Sequence, residues 1–274
     1  MNNSHKNTRI SKLEDQIQKN NARTKRNRLK NRELLDAVHK LEDQLAALTP
    51  STSPEPEIVR PVRLHMLLDR SGSMSGFAGD VIGGFNAFVD KQRAIEGECY
   101  LNLVQFDSDN PFEVIYDNAT LDQVEQLTSQ VYYPRGMTPL YDALGSLISR
   151  AEQLQNQNPA DNVVWVFTDG LENSSTEYSA ANVKALVEQK EKEGWTFTFM
   201  GCDIDSYEAS AEIGFRPENT SNFKKDQDGH AMAFSEIDRG LSSYREKNSH
   251  DRHAMSEDFW EGQKNAEEDL HTRS

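Results

Sequence analysis

Three oxygen-bearing side chains stand at alternate positions directly after an apolar run. The run covers residues 62–68 and predicts a buried strand, and Asp69, Ser71 and Ser73 follow it. Gly72 lets the backbone turn tightly enough for the three oxygens to converge. Carboxylate and hydroxyl oxygens are hard ligands, which suit Mg²⁺, Ca²⁺ or Mn²⁺ and not Zn²⁺. The spacing therefore indicates a candidate divalent-cation site at the end of a strand.

Two further oxygen donors are predicted near the same edge of the sheet. Asp169 follows the apolar run at residues 162–168, so it ends a strand as Asp69 does. Thr138 precedes Pro139, a residue that is favoured at the first position of a helix. Thr138 therefore either caps that helix or directs its hydroxyl toward the turn after Asp69 as a further ligand. Because open α/β sheets bind ligands at the carboxyl ends of their strands, we expect these groups to lie together.

The elements that must position these side chains alternate between apolar strands and amphipathic helices. Strands are predicted at residues 62–68, 99–106, 112–116, 162–168 and 196–202, with a weakly marked sixth at 220–224. Helices are predicted near residues 76–95, 121–127, 139–155, 180–193, 206–213 and 229–245. The loop between the second and third strands is too short for a parallel crossover and predicts an antiparallel hairpin. The pattern predicts an α/β fold with a doubly wound, mostly parallel sheet and one antiparallel edge hairpin.

Composition divides the 274 residues into four parts. Residues 1–49 are predicted to form a basic helical arm, and residues 50–60, with three prolines, an extended linker. Residues 61–245 hold the α/β domain. Residues 246–274 are charged and lack periodicity, which predicts a mostly disordered tail with a transient helix near Phe259.

The arm carries apolar residues at heptad spacing near both of its ends. The seam residues are Ile10, Leu13, Ile17, Leu34, Val38, Leu41, Leu45 and Leu48. Polar residues, mostly asparagines, occupy the seam between the two apolar ends, and seam asparagines fix the register of coiled coils at a cost in stability. The arm is therefore a candidate coiled coil, through which residues 10–48 would make a homo-oligomer.

Charge is distributed unevenly along the chain. Residues 1–49 hold 11 Lys and Arg against 6 Asp and Glu, whereas the whole chain has a net charge of −15. The acidic remainder would repel phosphate, so any contact with nucleic acid should lie within residues 19–32. That basic run resembles a basic-zipper helix, but the leucine zipper lasts little more than two heptads, so a solvated helix face is favoured.

The motifs together resemble the von Willebrand factor type A (VWA) family. Asp69-x-Ser71-x-Ser73, then Thr138 in Gly-x-Thr-Pro-Leu, then Asp169 in Thr-Asp-Gly, match its metal-ion-dependent adhesion site in order. The resemblance spans about Arg60 to Arg245, and the weak sixth strand is a departure from it. It implies that the three hydroxyls coordinate Mg²⁺ or Mn²⁺, while the two carboxylates hold the ion directly or through water. The alternative is a degenerate member of the family that binds no metal.

Three classes of function follow from these patterns. The leading one is a metal-dependent protein-binding module, an intracellular adaptor or assembly factor whose metal accepts a carboxylate from a partner protein. The second is a nucleic-acid-associated factor that uses the basic arm. An enzyme is disfavoured, because the sequence has no phosphate-binding loop, nucleophile elbow or clustered histidine and carboxylate set.

The sequence also bears on where the protein resides. Cys99 and Cys202 fall in different predicted strands and have no metal-type spacing, which favours a reduced, cytoplasmic protein. Residues 1–30 are polar and basic without the apolar region of a signal peptide. No apolar run approaches the length of a membrane span, so we expect no membrane association.

Overall fold

Six β-strands form one sheet in the computed structural model, which describes residues 59–202, 206–224 and 226–260. The strands are β1 (Val62–Asp69), β2 (Cys99–Asp107), β3 (Asn110–Thr120), β4 (Asp161–Thr168), β5 (Thr196–Cys202) and β6 (Thr220–Phe223). Their order is β3-β2-β1-β4-β5-β6, and the β2–β3 pair is antiparallel while the other pairs are parallel. The predicted sheet, with its antiparallel edge hairpin and its weak sixth strand, is therefore confirmed for the described residues.

Helices cover both faces of this sheet. They are α1 (Ala78–Arg93), α2 (Leu140–Gln157), α3 (Ala180–Lys192), α4 (Ser206–Glu212), α5 (Gln227–Arg245) and α6 (Ser249–Met255). The apolar residues of α1 and α5 pack on one face, and those of α2 and α3 pack on the other. The strands β1, β4 and β5 are buried on both faces, which explains why their sequences are largely apolar runs.

The two central strands show how the sheet divides the core. In β4, Val163, Trp165 and Phe167 belong to the core under α1 and α5, whereas Val164 and Val166 belong to the other core. β1 lies between β2 and β4, so the chain winds outward in opposite directions from this pair. The carboxyl ends of β1 and β4 therefore border the crevice in which doubly wound folds bind ligands.

The segment after β3 differs from its prediction. β3 extends to Thr120, and the predicted helix at residues 121–127 is only a 3₁₀ turn, Leu121–Gln123. Asn86 of α1 accepts the backbone N–H of Leu127 at 2.7 Å and donates to its carbonyl at 3.0 Å. Arg93 of the same helix donates to the carbonyl of Leu121 at 2.9 Å. Side chains of α1 thus satisfy backbone groups that a helix would have paired internally.

The prediction of a disordered tail from residue 246 is wrong for residues 246–260. They include α6, and both Phe259 and Trp260 are buried in the core beneath α5. Asn219, which precedes β6, fixes the position of this segment through two hydrogen bonds. Its Nδ2 donates to Ser256 O at 2.8 Å, and its Oδ1 accepts the Phe259 N–H at 2.8 Å. Such long-range contacts leave no periodic signal in the sequence.

Other predictions concern residues that the structure does not describe. The arm at residues 1–49, its coiled coil, the linker up to residue 58 and the tail beyond residue 260 lie outside the described residues. Apart from the correction for residues 246–260, the residue boundaries of the four predicted parts stay predictions. Within the described part of the chain, no helix is both long and apolar enough to cross a membrane.

The order of the C-terminal segment can be tested by removing one ring. Phe259 is fully buried and its ring packs against Gly240, so Phe259→Ala should lower the free energy of unfolding by about 3–5 kcal/mol. Urea denaturation would measure the change. Glu257→Ala is the matched control, because the Glu257 side chain is 72% exposed, and it should shift stability by no more than about 0.5 kcal/mol. Equal, small effects of both substitutions would contradict the buried position of Phe259.

A buried histidine makes the fold sensitive to acid. His65 of β1 is 1% exposed, stacks on Trp195, and its Nε2 lies 3.0 Å from the acceptor Asn162 Oδ1. Burial lowers the pKa of His65 to about 4, against the opposing effect of the Asn162 hydrogen bond. The neutral imidazole therefore stabilises the fold fully above its usual pKa of 6.5, and this contribution is lost as the pH falls toward 4.

Replacing this imidazole should flatten the acid dependence. Between about pH 7 and about pH 4, the wild-type protein should lose about 3 kcal/mol of stability that His65→Gln does not lose. Glutamine keeps an N–H donor for Asn162 but does not titrate in this range. Urea denaturation of both proteins at a series of pH values measures the difference. Parallel curves would show that His65 does not govern the acid response.

Candidate metal centre

Asp69 is the deepest residue of the site. It ends β1 beside β4 and is fully buried. Its Oδ1 accepts the Ser71 backbone N–H at 2.6 Å, and its Oδ2 accepts the Thr168 hydroxyl at 2.5 Å. These two bonds fix both carboxylate oxygens at the carboxyl edge of the sheet, one from its own loop and one from the neighbouring strand.

A chain of hydrogen bonds joins the next loop to the end of β4. Ser71 Oγ lies 2.9 Å from Ser73 Oγ, and the Ser73 hydroxyl donates to Asp169 Oδ1 at 2.5 Å. Asp69 and Ser71 are buried while Ser73 is exposed, so the oxygens rise from the floor of the site to its surface. The structure thus brings four of the five predicted site residues into one cluster.

Thr138 completes the set from a third loop. Its prediction as a helix cap is wrong: the N-cap position of α2 is Pro139, and Glu172 and Ser175 accept the N–H groups of the first turn. A Cβ built on Gly170 would stand 3.0 Å from Thr138 Oγ1 and 3.8 Å from Asp69 Oδ2. Both oxygens therefore border the same small space beside Gly170. Glycine at this position keeps that space open.

The loop after β1 and the loop before α2 are tied to each other by hydrogen bonds to their backbones. The Tyr132 hydroxyl donates to Asp69 O at 2.7 Å, and the Arg135 N–H donates to Arg70 O at 2.8 Å. Gly72 N–H donates to Gly136 O at 3.1 Å, and a Cβ on Gly72 would stand 3.3 Å from that oxygen. Glycine at position 72 therefore serves the close approach of two loops as well as the turn expected from the sequence.

A buried arginine anchors these loops to the edge hairpin. Arg70 is fully buried, and its Nε donates to Asp107 Oδ2 at 2.7 Å. Its guanidinium also donates to Gln105 and pairs with Glu113 of β3. Since Arg70 lies between Asp69 and Ser71, these contacts tie the loop after β1 to β2 and β3.

Burial dominates the electrostatics of the cluster. Burial raises the pKa of the Asp69 carboxyl to about 6, and the nearby charge of Asp169 adds to the rise. Hydrogen bonds from Thr168 and Ser71 act in the opposite direction. The charged form of Asp69 is therefore unfavourable in this site without a compensating positive charge. A cation bound among these oxygens would supply that charge.

The donor set fits a hard divalent cation. It consists of the carboxylates of Asp69 and Asp169 and the hydroxyls of Ser71, Ser73 and Thr138, all oxygen ligands of the type that Mg²⁺ and Mn²⁺ prefer. Within the described residues, no group of three or more His, Cys, Asp or Glu side chains is placed to hold a metal ion. A metal at this site would therefore rely on hydroxyls as well as on carboxylates.

Sequence reasoning missed the residues that orient the predicted ligands. Asn173 is bonded to Thr138 twice: its Oδ1 accepts the Thr138 N–H at 2.8 Å, and its own N–H donates to Thr138 O at 3.1 Å. Thr168 orients Asp69 through its hydroxyl. The only feature of the sequence that points to Thr168 is its position directly before Asp169. Nothing in the sequence links Asn173 to Thr138, because the contact joins two loops.

The comparisons with known proteins bear on the fold. No protein-family model and no curated protein matches the chain. Among solved structures, it is similar to the pilus adhesin SpaC from Lactobacillus rhamnosus GG, with 14% identity over 67% of this chain and 30% of that one and a TM-score of 0.53. At this identity the likeness shows a shared fold and nothing about the site.

Two other matches have lower TM-scores. One is a von Willebrand factor type A structure from Catenulispora acidiphila, with 17% identity over 67% of this chain and 43% of that one and a TM-score of 0.46. The other is the manganese-loaded TRAP protein of Plasmodium vivax, with 16% identity over 66% and 74% and a TM-score of 0.45. The chain spans less than half the length of the first structures that it matches.

The role of Asn173 can be tested through metal affinity. Asn173→Ala removes the acceptor for the Thr138 N–H, so we expect the affinity for Mg²⁺ or Mn²⁺ to fall about tenfold. Asn173→Asp keeps an acceptor oxygen at that position and should retain the affinity. Titration calorimetry gives the affinities, and thermal denaturation without metal checks that all proteins are folded. Unchanged affinity in the alanine variant would show that Asn173 does not position Thr138.

Proposed function

We propose that the described residues form a divalent-metal-dependent protein-binding module of the VWA type. The observation that carries this proposal is the convergence of three loops on one cluster of five oxygen-bearing side chains at the switch point of the sheet. Asp169, Ser73 and Ser71 are joined by hydrogen bonds, while Thr138 and Asp69 border one space beside Gly170. Several hard oxygen donors that lie this close together support the proposal of a cation site.

The balance of charge favours capture of an anionic group. The three hydroxyls are neutral, and the two carboxylates would nearly cancel the charge of a divalent ion. The bound ion would supply a Lewis-acidic position that accepts a carboxylate oxygen from a partner. The residues of this chain hold the donors in place: Thr168 orients Asp69, Asn173 orients Thr138, and the exposed hydroxyl of Ser73 marks the open side.

The binding function rests on this geometry and not on the structural matches. The adhesin match concerns the fold alone, and the chain spans only 30% of that protein. We propose Mg²⁺ or Mn²⁺ as the ion, a protein partner that presents an acidic residue, and a non-enzymatic, cytoplasmic role. Homo-oligomerisation through residues 10–48 also stays a prediction, because that arm lies outside the described residues. So does the alternative of nucleic-acid contact through the arm, which no observation on the described residues favours.

Metal binding by the wild-type chain and by site variants tests the proposal. Wild-type protein should bind one Mg²⁺ or Mn²⁺ per chain, and Asp69→Ala should bind none, because it removes one of only two carboxylates in the donor set. Ser73→Ala should weaken binding without changing the charge of the site. Titration calorimetry on metal-free protein measures these outcomes, and circular dichroism checks the fold.

The matched control removes a carboxylate outside the cluster. Asp117→Ala on β3 breaks an exposed ion pair with Arg150 and should leave metal binding unchanged. Binding of the ion should also stabilise the folded wild-type protein, by about 2.7 kcal/mol at a free concentration one hundred times the dissociation constant. Equal heats from the wild type and Asp69→Ala would disprove the site assignment.

A further inference from the structure

Exposed apolar side chains are concentrated around the candidate metal centre. In the part of the chain that the structure describes, the large apolar residues with exposed side chains are Val59, Val114, Tyr133, Met137 and Leu171. Three of these, Tyr133, Met137 and Leu171, lie on the two loops that carry Thr138 and Asp169. We call these three residues the apolar rim.

Met137 is exposed although its backbone is firmly held. Its N–H donates to Ser108 Oγ at 2.9 Å, and its carbonyl accepts the Ser108 N–H at 3.0 Å. The side chain nevertheless remains 54% exposed, directly before the candidate ligand Thr138. The hairpin turn thus fixes where Met137 stands, while the core makes little use of its thioether.

Leu171 is an exposed apolar residue on the loop after β4. It is 56% exposed and follows Asp169 by two residues. The next residue, Glu172, accepts the N–H groups of Ser174 and Ser175 at 2.8 and 2.7 Å and that of Tyr141 at 2.9 Å. Glu172 therefore anchors this loop on the first turn of α2, next to the exposed Leu171.

Tyr133 makes cation–π contacts with two arginines. The guanidinium carbons of Arg70 and Arg135 lie 5.1 and 5.0 Å from the centre of its ring. Arg135 also donates to the Tyr133 hydroxyl at 3.3 Å. An aromatic ring that is fixed in advance loses little entropy on contact with a partner, which is why such rings recur in protein interfaces.

We propose that the apolar rim binds apolar side chains that flank the metal-bound carboxylate of a protein partner. This inference rests on the proposed function, because the carboxylate on the metal sets the position of the flanking residues. Tyr133 and Met137 are of residue types that are enriched in protein interfaces. Their exposure, together with that of Leu171, serves no purpose in the packing of the core.

Charge narrows the chemistry of the partner segment. The chain has a net charge of −15, and all of its excess negative charge lies outside residues 1–49. Arg135, the cation nearest to the rim surface, is already paired with Asp107 at 3.1 Å and faces Asp109 at 3.6 Å. Additional acidic residues in the partner would thus be repelled. The segment should carry one carboxylate between apolar residues and otherwise be neutral or basic.

A displayed library of cyclic peptides, selected on the full-length chain in Mg²⁺ and eluted with EDTA, tests this inference. The eluted peptides should carry a single Asp or Glu with apolar neighbours on both sides. Their affinity for the double variant Met137→Ser, Leu171→Ser should be about tenfold lower than for the wild type. The double variant should bind Mg²⁺ as the wild type does. Val59→Ser, which alters an exposed apolar residue at the opposite edge of the sheet, should bind the peptides unchanged.

The outcomes separate this inference from the proposed function. Eluted peptides that lack apolar neighbours, or that bind the double variant as tightly as the wild type, would overturn the apolar rim and leave the metal site standing. A selection that yields no EDTA-eluted peptides, or peptides that bind Asp69→Ala equally well, would overturn both. Loss of Mg²⁺ binding in the double variant would show that these residues support the metal site and would also overturn the rim as a docking surface.

Discussion

The site depends on a carboxylate held where water cannot reach it. Asp69 is fully buried at the end of the central strand, and hydrogen bonds from Ser71 and Thr168 direct its two oxygens. Burial raises its pKa to about 6, so the charged form is costly in the absence of a cation. A cation bound beside this carboxylate would relieve that cost, as the proposed metal site requires.

Contacts between loops keep that arrangement in place. The loop after β1 is bonded to the loop before α2 through Gly72 and Gly136, and Asn173 of the loop after β4 is bonded to Thr138. On the far side, the buried pair of Arg70 and Asp107 joins the same region to the edge hairpin. Because each loop is bonded to at least one other, a change at one donor should be felt by the others. The candidate site therefore depends on contacts among several loops at the carboxyl ends of the strands and not on a single sequence motif.

Local patterns predicted the parts of the molecule that depend on local chemistry. The apolar runs that became β1 and β4 are visible because both faces of these strands are buried, and the oxygen donors follow directly after them. Asn173 could not be predicted, since its significance comes from a contact across 35 residues. The order of Phe259 was missed for the same reason: Asn219, far away in sequence, supplies the hydrogen bonds that hold it. Periodicity reports burial within an element, whereas these contacts join elements.

The contacts of α6 also decide how the domain would respond to mechanical load. Arg252 donates to Arg60 O at 2.6 Å and to Asp161 at 2.9 Å, and the Arg60 N–H donates to Ser249 Oγ at 3.1 Å. The strand that leads to Asp69 therefore begins beside α6, at the end of the sheet opposite to the candidate site. Tension between residues 59 and 260 would therefore load these contacts and those of Asn219 with Ser256 and Phe259, all of which lie away from the loops that hold the oxygen donors.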